Sequence, residues 1–483
     1  MTMKISFINP VLGGDYSALD IGITALASYL NARTTHKAKI CDLTFHRRNW
    51  KDFLGEHIKE NRPDIAAVSA TTLYMSYVRQ VVKELKQRYH LPVVIGGYHA
   101  SIYSKEILNM EGVDFVCVGD GEYVLAALMD RLGNGLALTD VPGLGAKYGD
   151  KAVINPGGSF IDNIDGLPIA DWDLWQGLDK YFYFLGMLYF IGSRGCPYQC
   201  SYCDAVGISQ AVQGNYYRLR NPEGYAREIA FQWDKYRDRR MRLAQLFDPV
   251  FTMDLNWLSA FCREYKRLGL FKELRFSAFS RIDHLDEERI KILGDSGCAI
   301  LRVGVEAGDD FIRNKIYGKR ISGAKIKSIF ELCRKYKIAL TAYYMLGGPA
   351  ETRETINTTI RLARELKASR SAFFIYKPFT EAGIRQVAEH GGRIDQKLWR
   401  AADNITFDAV VELKDLRPDQ IESLQKKAYF LTFGRRLLNM IFCQGPIYFI
   451  RLFIYCFKGL MYGLDIRYLI TYYHIYGYDN VDK

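Results

Sequence analysis

Two successive series of short apolar runs, each run followed by a helix-patterned stretch, constrain this chain more than any other feature. The first series is KISFINP, KAKICDL, DIAAVSA, LPVVIGG and VDFVCVG, with helical patterns over 21–32, 50–60, 77–89, 105–110 and 122–132. Strands that alternate with helices are joined by crossovers and therefore run parallel, which predicts a sheet covered on both faces, a doubly wound α/β domain. The second series, MLYFIG, RLAQLF, LRFSA, ILRVGV, ALTAYYML and SAFFIY, begins at Met187. Six such units predict an incomplete barrel of the (β/α)6 kind. The expected organisation is a doubly wound domain over 1–141, a Gly/Pro-rich linker over 142–184, the partial barrel over 185–385 and a helical region over 386–483.

Both architectures gather ligands outside the carboxyl ends of their strands. In the first series those ends carry small-residue loops: Gly13 and Gly14, Ser69 to Thr72, Gly96-Gly97-Tyr98-His99 and Gly119-Asp120-Gly121-Glu122. No GxGxxG follows the first strand and no GxxxxGK(S/T) is present, which argues against the common nucleotide folds. At 483 residues and 49% hydrophobic the chain can bury more than one core, so disorder is excluded as the default. The net charge of +11 alone does not choose between nucleic acid, anionic lipid and a basic surface. No run of 18 apolar residues predicts a transmembrane span. MTMKISFINP reads as a first strand rather than a signal peptide, which with unpaired cysteines leads to the expectation of a cytoplasmic protein.

Of ten cysteines, seven (Cys41, Cys117, Cys262, Cys298, Cys333, Cys443 and Cys456) are scattered singly. Cys196, Cys200 and Cys203 instead crowd into SRGCPYQCSYC, Ser193 to Cys203, just past the first strand of the second series. Three thiolates can hold zinc or an iron–sulfur cluster, or be inert. A structural zinc normally takes four protein ligands, and no second Cys/His pair follows with finger spacing. A cluster held by three cysteines leaves one iron open to substrate.

The Cys-x3-Cys-x2-Cys spacing, with Tyr202 directly before the last cysteine, resembles the signature of the radical S-adenosylmethionine superfamily, commonly SRGCPYxCxFC. LFDPVFTMD, Leu246 to Asp254, resembles that family's FxDDxFT loop, with Asp248 kept and Pro249 in place of a second acid. VGVEAGDD resembles the strand ending in G(V/I)E(S/A)G and would put Glu306 near the S-adenosylmethionine ribose or amino group. MLGGPAET resembles the turn near the adenine, which adds Gly347 and Gly348. The resemblance implies a 4Fe–4S cluster on Cys196, Cys200 and Cys203, with S-adenosylmethionine near Tyr202, Asp248, Glu306, Gly347 and Gly348.

Ahead of such a core, VVIGGYHAS and DFVCVGDGE resemble the GGxHxS and GEGE-type loops of the cobalamin-dependent branch. Cobalamin is thereby implied at Gly13, Gly14, Ser69, Thr71, Gly96, Gly97, His99, Gly119, Gly121 and Glu122. Glycine is expected there because it lets backbone approach a ligand closely. NPVLGGDYSALDIG has no His where many cobalamin domains carry Asp-x-His-x-x-Gly, so base-off cobalamin without a protein ligand is expected, with His46 and His99 as the alternatives. The resemblance implies a 5′-deoxyadenosyl radical that removes hydrogen from an unactivated carbon, then transfer of a methyl group from cobalamin. An electron donor such as flavodoxin or ferredoxin is implied as partner. Oxidative cyclisation or rearrangement with the same cofactors is the alternative. A tRNA methylthiotransferase fits less well, since only Cys41 and Cys117 precede the loop, so no nucleic-acid partner is expected. A non-catalytic cobalamin sensor would need no cysteine loop.

From about Thr432 the chain is dense in aromatics, with Arg435, Arg436, Arg451, Lys458 and Arg467 spaced through it. Such a segment suits either an interfacial helix on a membrane or a cap buried on the barrel. Either makes a hydrophobic substrate, such as a lipid, terpenoid or tetrapyrrole, the expectation.

Overall fold

The computed structural model describes residues 1–476 except Ala18, Asp150 and 402–405; side chains at 400–401, 433–448 and 474–476 are also outside the description. The side chains of Arg435 and Arg436, and the expected helix beyond 476, therefore lie outside the description. The chain folds as two compact units.

The first unit comprises Met1–Phe184, Gly207–Arg218 and Gly459–Tyr468. Its strands are β1 (Lys4–Asn9), β2 (Lys37–Asp42), β3 (Ile65–Ser69), β4 (Val93–Gly96), β5 (Phe115–Cys117), β6 (Leu144–Tyr148) and β7 (Lys151–Ile154). They form one sheet in the order β2-β1-β3-β4-β5-β6-β7. The first five are parallel, with Ile5 opposite both Ala38 and Ile65. Ile5, Phe7, Ile8, Ile65, Val68, Val94 and Ile95 are buried, as strands covered on both faces require. The helix Ile21–Arg33 starts where Asp20 accepts the Ile23 N–H at 3.0 Å, and Asp20 is held at an unusually high pKa by burial.

The expected linker is in part sheet: β6 and β7 form an antiparallel hairpin on β5. The alternation in LGAKY and KAVI is too short to stand out among glycines that serve the hairpin itself. The sheet ends on β2, with Lys37 and Lys39 exposed, and on β7, with Lys151 exposed.

The second unit comprises Leu185–Val206, Leu219–Lys458 and the segment from Leu469. The strands of its main sheet are β8 (Met187–Phe190), β9 (Leu243–Leu246), β10 (Arg275–Ser280), β11 (Cys298–Glu306), β12 (Ala339–Leu346) and β13 (Arg370–Ile375). They are parallel and adjacent in sequence order, the six strands expected of a partial barrel. Helices begin at defined caps: Asn221 before Pro222, Asp254, Asp286, and a Thr352/Thr355 capping box. Outward residues pack on these helices, as Phe276 does on Phe261 and Tyr265 at 6.0 and 5.2 Å.

The long helix Pro418–Met461 begins as a cap on this unit: Ile421, Leu424 and Ala428 are buried, and Gln425 donates to the Phe373 carbonyl at 2.6 Å. The helical end expected from the sequence is present over the described residues.

Gly97 sits at φ +96°, where a Cβ would stand 2.8 Å from the Ala70 carbonyl oxygen. Gly97→Ala is expected to cost about 2 kcal/mol or more, since backbone strain and a backbone clash add. Urea unfolding followed by circular dichroism measures it.

Candidate active site

In the first unit the expected ligand residues lie at or just past the carboxyl ends of β1, β3, β4 and β5, which are neighbours in the sheet. The chain reverses its strand order between β1 and β3, the place where doubly wound sheets bind ligands. Gly13 and Gly14 follow β1, Ser69 ends β3, Gly96 ends β4, and Gly121 and Glu122 open the helix Gly121–Gly133. Ser101 joins two of these loops by accepting the Gly119 N–H at 3.1 Å. Asp120 fixes another, accepting from the Ile161 N–H at 2.8 Å and from the buried Arg218 guanidinium.

Three buried polar atoms in this region have no hydrogen-bond partner among the described residues: Thr71 Oγ1, Ser76 Oγ and His99 Nε2. Buried polar groups are normally paired, so orphans clustered beyond β3 and β4 fit a polar ligand such as cobalamin. His99 Nδ1 is engaged by Thr72 Oγ1 at 2.9 Å, and burial lowers the imidazole pKa to about 4, which keeps it neutral. His46 instead stacks on Phe53 at 3.6 Å between ring centres. Most of the glycines are there for a different reason from the expected one. A Cβ at Gly13 would stand 2.5 Å from the Tyr77 hydroxyl, and one at Gly14 2.5 Å from the Asp465 nitrogen, so protein fills those places; Gly96 alone of the pair Gly96-Gly97 has ordinary room.

In the second unit the cysteine loop leaves β8 through Gly192 and Ser193. Asp248 anchors that exit, accepting from the Gly192 N–H at 2.9 Å, the Ser193 hydroxyl at 2.6 Å and the Tyr225 hydroxyl at 3.1 Å. Burial raises its pKa to about 6. With both oxygens engaged, Asp248 shapes the start of the cysteine loop.

Cys200 is buried and receives a hydrogen bond from Arg281 Nη1 at 3.2 Å. Burial pushes the Cys196 thiol up to about 11 and the Cys203 thiol to about 12, with neighbouring cysteines adding to each rise. Such thiols ionise only when positive charge arrives, which the irons of a cluster supply. The donor set therefore fits a 4Fe–4S cluster. Among the described residues no three His, Cys, Asp or Glu side chains already surround one ion position, so the loop offers donors rather than a formed cage.

Tyr202 donates to Glu306 Oε1 at 3.0 Å, and Lys319 Nζ approaches the same oxygen at 3.0 Å. Glu306 ends β11 at φ +65°, past a bulge at Gly304. A non-glycine residue held there is strained, a feature that concentrates at functional sites. A side chain on Gly304 would run into the Glu306 carboxylate and stand 2.9 Å from Lys319 Nζ. Beside it, the Gly347 and Gly348 N–H groups donate to Glu351 Oε2 at 2.7 and 2.9 Å, while Glu351 Oε1 and the Tyr317 hydroxyl are buried with no hydrogen-bond partner among the described residues. Those orphans, with Glu306, fit a polar ligand such as S-adenosylmethionine.

Arg281, Lys319 and Glu351 are the residues that sequence reasoning missed. Arg281 lies over the Tyr198 ring at 3.7 Å, pairs with Asp283 at 2.9 Å and donates to the Lys319 carbonyl at 3.0 Å. Its signal was available: an Arg immediately after the carboxyl end of β10. Lys319 lies 13 residues past Glu306 with no periodic signal.

The B12 binding domain family matches residues 11–129 and the Radical SAM superfamily matches residues 190–363. The chain is a cobalamin-dependent radical S-adenosylmethionine enzyme. The enzyme is 28% identical over 424 residues to an uncharacterized methyltransferase of Pyrococcus horikoshii, spanning 86% of this chain and 88% of that one. It is 26% identical over 335 residues to the anaerobic magnesium-protoporphyrin IX monomethyl ester cyclase of Cereibacter sphaeroides, spanning 68% of this chain and 53% of that one. Its fold is similar to the radical S-adenosylmethionine methyltransferase TsrM from Kitasatospora setae with cobalamin and a 4Fe–4S cluster bound, with TM-score 0.70, 18% identity, 90% of this chain and 89% of that chain.

Burial raises the Glu351 pKa from 4.5 to about 8. The native state then holds a proton that the unfolded chain releases, so this carboxyl makes stability fall as pH rises between those two values. Glu351→Gln keeps an acceptor for both glycine N–H groups and is always neutral. Its urea midpoint is expected to decline less than that of the parent between pH 5 and pH 8, taken at three pH values.

Proposed function

We propose that this enzyme methylates a carbon of an apolar, ring-bearing small molecule seated in its barrel. The observation that carries the reading is a belt of aromatic rings across the inner face. Tyr189 of β8, Phe247 just past β9, Phe279 of β10, Tyr343 of β12 and Phe374 of β13 follow one another with centroids 4.6, 5.3, 6.1 and 5.6 Å apart. Period two puts these side chains opposite Phe276 and Tyr344, which face outward. Phe247, Phe279, Tyr343 and Phe374 are partly exposed, whereas neighbours such as Phe276 and Tyr344 are buried. β11 breaks the belt with Gly304 and sets Arg302 below it, donating to the Tyr343 hydroxyl at 3.2 Å. Rings presented this way favour stacking on a flat or apolar molecule.

When bound, the cluster with S-adenosylmethionine supplies a radical able to take hydrogen from carbon, and cobalamin supplies the methyl group. The chain's own contribution is position and dryness. Cys196, Cys200 and Cys203 would hold the cluster, Arg281 orients Cys200, and Asp248 fixes the loop. Glu306, held by Tyr202 and Lys319, presents a carboxylate to a cationic amino group, with Gly347, Gly348 and Glu351 beside it. Ser69, Thr71, Gly96 and His99, with Gly119, Gly121 and Glu122 on the neighbouring loop and helix start, would line the cobalamin groove. A flavodoxin or ferredoxin would deliver the electron. Methyl transfer is supported by the Pyrococcus horikoshii relative and a flat substrate by the cyclase.

The test uses anaerobically reconstituted enzyme, S-adenosylmethionine with a deuterated methyl group, and a panel of isoprenoid lipids, tetrapyrroles, aromatic amino acids and sugar phosphates. A deuterated methyl on an apolar product supports the proposal. Turnover without methyl transfer moves the reading to cyclisation, and activity confined to sugar phosphates overturns the substrate class. The triple variant Cys196→Ala, Cys200→Ala, Cys203→Ala is expected to lose bound iron and reductive cleavage of S-adenosylmethionine together, measured by iron assay and by chromatography of 5′-deoxyadenosine.

A further inference from the structure

The far part of the helix Pro418–Met461 turns an apolar face outward. Phe449, Ile450, Phe453, Ile454 and Phe457 are exposed, Phe453 at 70% and Phe457 at 58%, while Tyr455 between them is buried against Tyr473 at 4.9 Å. Positions 450, 453, 454 and 457 share one side of a helix, so the exposure is a stripe rather than a scatter. Partly exposed side chains of this size sum to several hundred Å², the scale of the largest apolar patch on a soluble monomer, which is often functional. Phe453 and Phe457 stack on each other at 6.2 Å, extending the flat surface.

The charge around the stripe identifies its occupant. From Ser423 to Leu464 the sequence has no Asp or Glu but carries Lys426, Lys427, Arg435, Arg436, Arg451 and Lys458. Arg451 and Lys458 are both exposed, and their separation by two helical turns sets them along the same border of the stripe. An apolar stripe bordered by cations matches the boundary between acyl chains and anionic headgroups. A second copy of the chain fits less well, because symmetric pairing of this face would bring the same cations together without acids to meet them. Among the described residues no helix is long and apolar enough to cross a membrane, so the helix would lie along the surface.

We propose that this face docks the enzyme on an anionic lipid bilayer, with Phe453 and Phe457 inserted among the acyl chains and Arg451 and Lys458 at the headgroups. The proposal is independent of the substrate class argued above.

The test is co-sedimentation of the full chain with vesicles of phosphatidylcholine containing phosphatidylglycerol, or of phosphatidylcholine alone, at low and high salt. The protein is expected to pellet with the anionic vesicles and to be released by salt. Arg451→Gln with Lys458→Gln is expected to weaken binding roughly thirtyfold. Phe453→Ser with Phe457→Ser is expected to weaken it roughly tenfold or more. Unchanged circular dichroism and cobalamin uptake establish that the variants fold, and Phe430→Ser, an exposed aromatic nearer the helix start, should leave binding within about twofold. Equal sedimentation with and without vesicles overturns the proposal. So does binding indifferent to the Phe453 and Phe457 changes, or equal affinity for uncharged vesicles. A sedimentation-velocity dimer abolished by those same changes, without vesicle binding, assigns the face to a second copy and also overturns it.

Discussion

The buried pair between Lys319 and Glu306 is the interaction on which the second unit's site is built. It ends β11, the middle strand of the site, and ties Tyr202 and hence the cysteine loop to the barrel wall. Two charges removed from water stabilise only when their geometry is good and their remaining hydrogen bonds are met. The Tyr202 hydroxyl meets one of them, and the absence of a side chain at Gly304 leaves the room. The cost is visible in the backbone, since Glu306 is held in a conformation that side chains avoid. Its carboxylate is thereby presented at the strand end where a ligand's amino group would need it.

The sheet and barrel were legible because burial on both faces imposes continuous apolar runs, and eleven of the strands named above were read as such runs. The hairpin β6–β7 was not, because each arm is short and half exposed. The site was legible where chemistry is dense, as in three thiols within eight residues, and illegible where it depends on distance in sequence. Lys319 reaches Glu306 only because the chain doubles back after β11. Asp248 shows a different limit: the residue was picked out, yet its neighbours Gly192, Ser193 and Tyr225 engage it as an anchor.

The glycine loops carry a related lesson. Close approach of backbone is why they are glycines, but at Gly13, Gly14 and Gly97 the close partner is Tyr77, Asp465 or Ala70. A sequence reveals that something comes near and does not reveal what. The orphaned atoms of Thr71, Ser76 and His99 are the better pointer to a ligand, because they record an unmet need.

The lysines that close the sheet at β2 and β7 matter before any cofactor is present. An open sheet with bare outer strands is a template on which another chain can add a strand. Lys37, Lys39 and Lys151 place hydrated charge along those borders, so a second strand would have to strip water from them to pair. A chain that must wait for metal, cobalamin and cosubstrate is thus guarded against aggregation at both edges of its first sheet.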